Sequence, residues 1–269
     1  MPSSPSSGWA RTPDLVEETL RVLVALAITV FLVILRFEAE DFGAAEYDEP
    51  TRDGHRASLP RRLSWTLLGF ALVGALLVVH PNAPGDLGIT LGDRGEALLL
   101  GFGFGALGML QAAAYAFFRY GRIRFPPAWT YPGAVLNALG TAFIDEATFR
   151  GAVLGLLLLI GVNPGTAIVI QAFVYTLATR TGAPGRGRYM FVLTLVGGLV
   201  AGWLTVTTGA IGAAFLAHAI TRISVFVFTG HAGQPARRGE EIEETWEYRA
   251  APHGWRSIDG PNDGGPPER

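Results

Sequence analysis

Ala142-Phe143-Ile144-Asp145-Glu146-Ala147-Thr148-Phe149-Arg150-Gly151 sets two adjacent carboxylates and an arginine inside an apolar run spanning 133–162. The run is long enough to cross a bilayer. A charge at the centre of a membrane helix costs roughly 2.5–3.5 kcal/mol even on forgiving scales, so it is seldom there without a reason. On a helix, Glu146 and Arg150 are four apart and share a face, with the acid on the N-terminal side, the better order for an ion pair. Asp145 is turned by about 100° from Glu146, so the two acids address different neighbours. The stretch reads either as a structural ion pair fastening one helix to its partners or as a functional site.

The composition fits a membrane protein. Of 269 residues, 49% are hydrophobic and 16% charged, and the mean hydropathy is +0.32; soluble chains carry about 25% charge on average. A formal net charge of −2 gives no electrostatic case for nucleic acid. There is no cysteine, which excludes disulfides, thiolate catalysis and cysteine-based metal sites. The sequence also lacks H-E-x-x-H. Asp14, Glu17 and Glu18 precede the first apolar run where a signal peptide would be basic, so that run is expected to remain as an anchor.

The expected fold is all-α: a polytopic membrane helical bundle of about seven transmembrane helices. Apolar runs place the crossings at about 20–37, 63–80, 97–118, 133–162, 166–179, 189–208 and 210–228. Residues 1–19, Ser/Pro-rich, and the polar tail 229–269 are expected to be disordered. Residues 20–80 form two N-terminal membrane helices around a polar loop. Arg21 and Arg36 bracket the first crossing as snorkelling residues, Trp65 reads as an interfacial anchor, and His80 beside Pro81 reads as a surface residue. Arginines gather in alternate loops, at Arg52, Arg56, Arg61 and Arg62, then Arg119, Arg122 and Arg124, then Arg180, Arg186 and Arg188. The intervening loops hold only Arg94. This alternation predicts a multi-pass cell-membrane protein with its N-terminus outside and its C-terminal tail cytoplasmic.

Gly103-Phe104-Gly105-Ala106-Leu107-Gly108 fits G-x-G-x-x-G, but it lies inside an apolar helix with no strand before it, so a dinucleotide site is rejected. Gly101/Gly105, Gly151/Gly155 and Gly198/Gly202 read instead as small-xxx-small packing faces. Few other polar groups lie in the later crossings. His218 and Arg222 are four apart in the last, and Tyr175 and Thr179 are four apart in the fifth, a turn after Gln171.

These residues resemble the CPBP family of intramembrane glutamic endopeptidases, the type II CAAX prenyl protease-like proteins. The family signature is E-E-x-x-x-R, then F-x-x-x-H and H-x-x-x-N on later membrane helices. Asp145-Glu146-Ala147-Thr148-Phe149-Arg150-Gly151 is similar to the first motif, Gln171 to Thr179 to the second helix, and Gly202 to His218-Ala219 to the third. The resemblance makes 81–228 a CAAX-protease-like membrane core. It implies catalytic roles at Asp145, Glu146 and His218, and supporting or substituted positions at Arg150, Thr179 and Arg222.

Three positions depart from the signature: Asp145 for the first glutamate, Thr179 for the first histidine and Arg222 for the asparagine. A carboxylate one methylene shorter is misplaced by about 1 Å, which can cost 10²-fold in rate. Threonine cannot act as a base. Arg222 reads either as a cation for an oxyanion or, the favoured expectation, as a partner that neutralises Asp145 or Glu146. The resemblance therefore implies an intramembrane endopeptidase of peptide or prenylated-protein substrates with impaired activity. The alternative is a non-catalytic pseudoprotease that binds a peptide or membrane protein in the same cavity. The expected partners are such a polypeptide and the lipid bilayer. No cofactor is expected, and a metal site on Asp145, Glu146 and His218 would lack a second imidazole.

Overall fold

The computed structural model describes residues 15–42, 44, 59–120, 131–180 and 188–229. Expectations placed on 1–14, 45–58, 121–130, 181–187 and the tail 230–269 lie outside the described residues. Among the described residues there are helices and turns and no strand.

The helices are α1 (Leu15–Phe37), α2 (Leu59–Val79), α3 (Ala83–Asp86), α4 (Arg94–Tyr120), α5 (Tyr131–Glu146), α6 (Leu154–Leu159), α7 (Pro164–Arg180), α8 (Arg188–Thr208) and α9 (Gly212–Thr229). A wide-turn π-helical segment, Ala147–Val153, joins α5 to α6. Each expected crossing has a helical counterpart. Val16–Phe37, Pro60–Val79, Arg94–Phe118 and Phe191–Thr208 are long and apolar enough to cross a membrane, and Pro164–Thr179 and Gly212–Phe228 are shorter apolar helices. The architecture is an all-α membrane bundle.

Local chemistry sets the helix ends. Asp93 accepts from the Glu96 N–H at 2.9 Å, an N-cap for α4, and Asn163 accepts from the Gly165 N–H at 3.0 Å ahead of α7, whose first residue is Pro164. Gly161 and Gly209, at φ 85° and 69°, end α6 and α8 in the left-handed region that glycine tolerates. α1 begins at Leu15, ahead of the expected start at 20. Glu17 and Glu18 suit a helix N-terminus, and Glu17 pairs with Arg21 at 2.7 Å one turn on.

Small residues bring the helices together. A Cβ on Gly101 would lie 2.9 Å from Leu216, and one on Gly105 2.7 Å from Ile220, both on α9. Gly108 faces Thr221 more closely still, so α4 runs flush against α9. Gly198 and Gly202 play the same part between α8 and α7, against Ala172 and Gln171. Gly151 and Gly155 receive the end of α3 and the connection after it: Ile89 lies 2.6 Å from a Cβ on the first, and the Asp86 carbonyl 2.7 Å from one on the second.

Alongside large side chains such as Trp65, Phe149 and Phe226, the interior is rich in alanine. Ala112, Ala116, Ala134, Ala138, Ala142, Ala147 and Ala152 are buried, while Phe31, Leu67, Val78, Leu99, Phe102 and Phe118 face outward. That is the distribution a lipid surround favours.

Two expectations about polar residues are corrected. Trp65 is not an interfacial anchor: it is fully buried and donates its indole N–H to the Leu35 carbonyl at 2.8 Å. His80 is not at the surface: it is 4% exposed, because the chain folds back through Pro81 into α3 over the end of α2. Its Nδ1 accepts from the Asn82 N–H at 3.3 Å and lies 3.8 Å from the Asp86 carboxylate.

Candidate functional site

The orientation of α5 follows from the two apolar residues ahead of the acids. Phe143 stacks on Phe70 of α2 at 5.5 Å and meets Phe215 of α9 edge-on at 6.0 Å. Ile144 fills the notch left by Gly69, where a Cβ would sit 2.6 Å from its Cδ1. With those two fixed, Asp145 turns to α1 and Glu146 to α9, and both are 0% exposed.

The π segment follows at once. The Leu154 N–H donates to the Phe149 carbonyl, five residues back. Such wide turns cost hydrogen-bond geometry and recur at functional positions. Phe149 and Arg150 are buried in it, Phe149 meeting Tyr175 of α7 at 5.1 Å.

Glu146 is the centre of the cluster. His218 Nδ1 lies 2.7 Å from its Oε1, and Arg150 Nε lies 3.3 Å from its Oε2. With Glu146 ionised, the histidine proton belongs on Nδ1. The Arg150 guanidinium also covers the Tyr175 ring at 4.2 Å, and Tyr175 meets the His218 ring at 6.3 Å. Side chains from α5, the π segment, α7 and α9 thus converge. The His218 side chain is 16% exposed, against 0% for Glu146 and 1% for Arg150, so the imidazole is the outer face of the group.

Asp145 belongs to a second pair. Arg36 Nε of α1 lies 2.9 Å from its Oδ1, with side-chain exposures of 7% and 0%. Arg36 is therefore a buried counter-ion and not a snorkelling end of α1. Nothing in the sequence distinguishes the two, since an arginine at the end of an apolar run suits either. Neither arginine contact is an aligned hydrogen bond: Arg36 Nε, both Asp145 oxygens, Glu146 Oε2 and Arg150 Nε are buried without one. Charge, more than directed hydrogen bonding, holds these pairs.

The remaining positions sit differently. Thr179 is buried with its hydroxyl donating to carbonyls of its own helix, Tyr175 at 2.9 Å and Thr176 at 3.2 Å. Arg222 is partly buried on α9, one turn beyond His218. Gln171 is outside the cluster. It donates to the Gly198 carbonyl at 2.8 Å and ties α7 to α8.

Comparison with known proteins fits this arrangement. Residues 127–224 match the family model described as Type II CAAX prenyl endopeptidase Rce1-like. The matched segment contains Asp145, Glu146, Arg150, Thr179, His218 and Arg222, and Arg36 lies before it. No curated protein and no solved structure matches the chain. From α5 into α9 the chain is similar to the Rce1-like type II CAAX prenyl endopeptidase family, and its apolar helices make it an integral membrane protein.

Proposed function

We propose that this protein keeps the scaffold of a CAAX-type intramembrane endopeptidase while its peptide-bond chemistry is impaired to background level. In this reading it engages a peptide or membrane-protein segment where an active relative would cut. One observation carries it: each buried acid already faces a buried guanidinium, Asp145 that of Arg36 and Glu146 that of Arg150. A general base must be able to take a proton from water, and a carboxylate held by a fixed cation in a dry interior is poorly placed to do so. The Thr179 hydroxyl, bonded to its own helix, supplies no base at the position where the family places histidine. The arginine-rich alternate loops support an outside N-terminus and a cytoplasmic tail.

A second reading has its own observation. The His218–Glu146 contact of 2.7 Å is a carboxylate–imidazole pair, the arrangement an active hydrolase uses to move protons. Cleavage of an internally quenched prenylated peptide by the purified protein in nanodiscs separates the two. The impaired reading expects the wild type to match Asp145→Ala and Glu146→Ala, all at background. Turnover that vanishes in either variant refutes it.

A further inference from the structure

We infer that Arg36, supplied by α1 from outside the family domain, is a positioning residue that holds Asp145 away from water activation. The inference rests on the impaired-peptidase reading and names the residue responsible for part of the impairment.

Three observations converge on it. First, Arg36 and Asp145 form a closed pair, 2.9 Å apart and 7% and 0% exposed. Second, the pair is framed by its own chain neighbours. Leu35 precedes Arg36, Ile144 precedes Asp145, and both pack in one buried cluster with Trp65. The Trp65 indole N–H also fixes the Leu35 carbonyl at 2.8 Å, so α2 sets the position at which α1 presents its guanidinium. Third, α1 forms a wall of the site itself. Val33 and Phe37, either side of Arg36 on that helix, pack against the cluster of Phe149, Tyr175 and Ala178.

Arg36 from α1 faces Asp145 directly, Tyr175 from α7 interacts with it electrostatically, and the neighbouring Glu146 of α5 carries Arg150 from the π segment and His218 from α9. Of these, Arg36 alone comes from outside residues 127–224. The α1–α2 hairpin thus contributes a charge to a site whose other members belong to the matched domain. A guanidinium fixed at this place binds the ionised carboxylate and competes with the water molecule that the carboxylate would otherwise polarise.

Two measurements on the full chain in nanodiscs test this. Thermal midpoints are compared for Arg36→Gln, Asp145→Asn and the double variant. Each single change should lower the midpoint, and the double should regain most of the loss; two losses that simply add overturn the pairing. Next, Arg36→Gln and Arg36→Lys are placed separately on the background Asp145→Glu, Thr179→His, Arg222→Asn, and cleavage of the quenched prenylated peptide is followed. Arg36→Gln should raise kcat about tenfold or more, while Arg36→Lys, which keeps the cation, should not. Equal kcat with and without Arg36→Gln overturns the role of Arg36. Wild-type turnover abolished by Glu146→Ala sinks instead the impaired-peptidase reading.

Discussion

The Trp65 indole reaches the Leu35 carbonyl across 2.8 Å and locks the C-terminal turn of α1 to the first turns of α2. An indole buried with its N–H satisfied contributes both area and direction. The bond anchors the backbone immediately ahead of Arg36.

Trp65→Phe keeps an aromatic ring but deletes the donor. The loss should be about 1–2 kcal/mol, from the missing hydrogen bond and a partial void. Thermal unfolding in detergent checks it. An interfacial anchor would tolerate phenylalanine with almost no change, so a neutral result would contradict the burial described for Trp65.

The two arginines of α1 should behave differently. Arg21 pairs with Glu17 at the exposed end, with side-chain exposures of 48% and 57%. Its removal as Arg21→Gln should cost about 0–0.5 kcal/mol. Arg36→Gln leaves the buried Asp145 without its cation and should cost about 3–5 kcal/mol. Unfolding midpoints of the two variants, measured side by side in one lipid mixture, give the comparison directly.

The glycines of α4 make a sharper contrast. Gly103 faces open space, with nothing within 4 Å of a Cβ, whereas Gly108 is closed by Thr221. Gly103→Ala should be neutral or slightly stabilising, since alanine is the better helix former by about 1 kcal/mol. Gly108→Ala should destabilise by about 1–3 kcal/mol through overpacking against α9. Thermal midpoints decide it. A dinucleotide loop would instead require Gly103 and leave Gly108 free of α9.

The sequence carried the helices and one pair of the site. Apolar runs with charged or Gly/Pro-rich punctuation marked the apolar helices, because a bilayer dictates both length and composition. The Glu146–Arg150 pair followed from helical spacing, and both are in place at 3.3 Å. Arg36, Trp65 and His80 are ambiguous in the sequence for a common reason: each stands at the end of an apolar run, where a polar residue suits the interface equally well. Only the packing of a second element over that end makes it interior, as α2 does for Arg36 and α3 for His80. The π segment was also invisible. Ala147–Val153 reads as ordinary helix, and Leu87 and Ile89, which crowd its Gly151, come from a distant part of the chain.

The central claim is that the cluster around Glu146 retains the architecture of a peptidase but has lost three working groups, at Asp145, Thr179 and Arg222. Cleavage of the quenched prenylated peptide by wild type and by Asp145→Glu, Thr179→His, Arg222→Asn tests it most directly, with circular dichroism to show that both fold. The account predicts background for the wild type and measurable turnover for the triple variant, lost again on Glu146→Ala. A folded triple variant that cleaves nothing, or a wild type that already cleaves at the variant's rate, would contradict it.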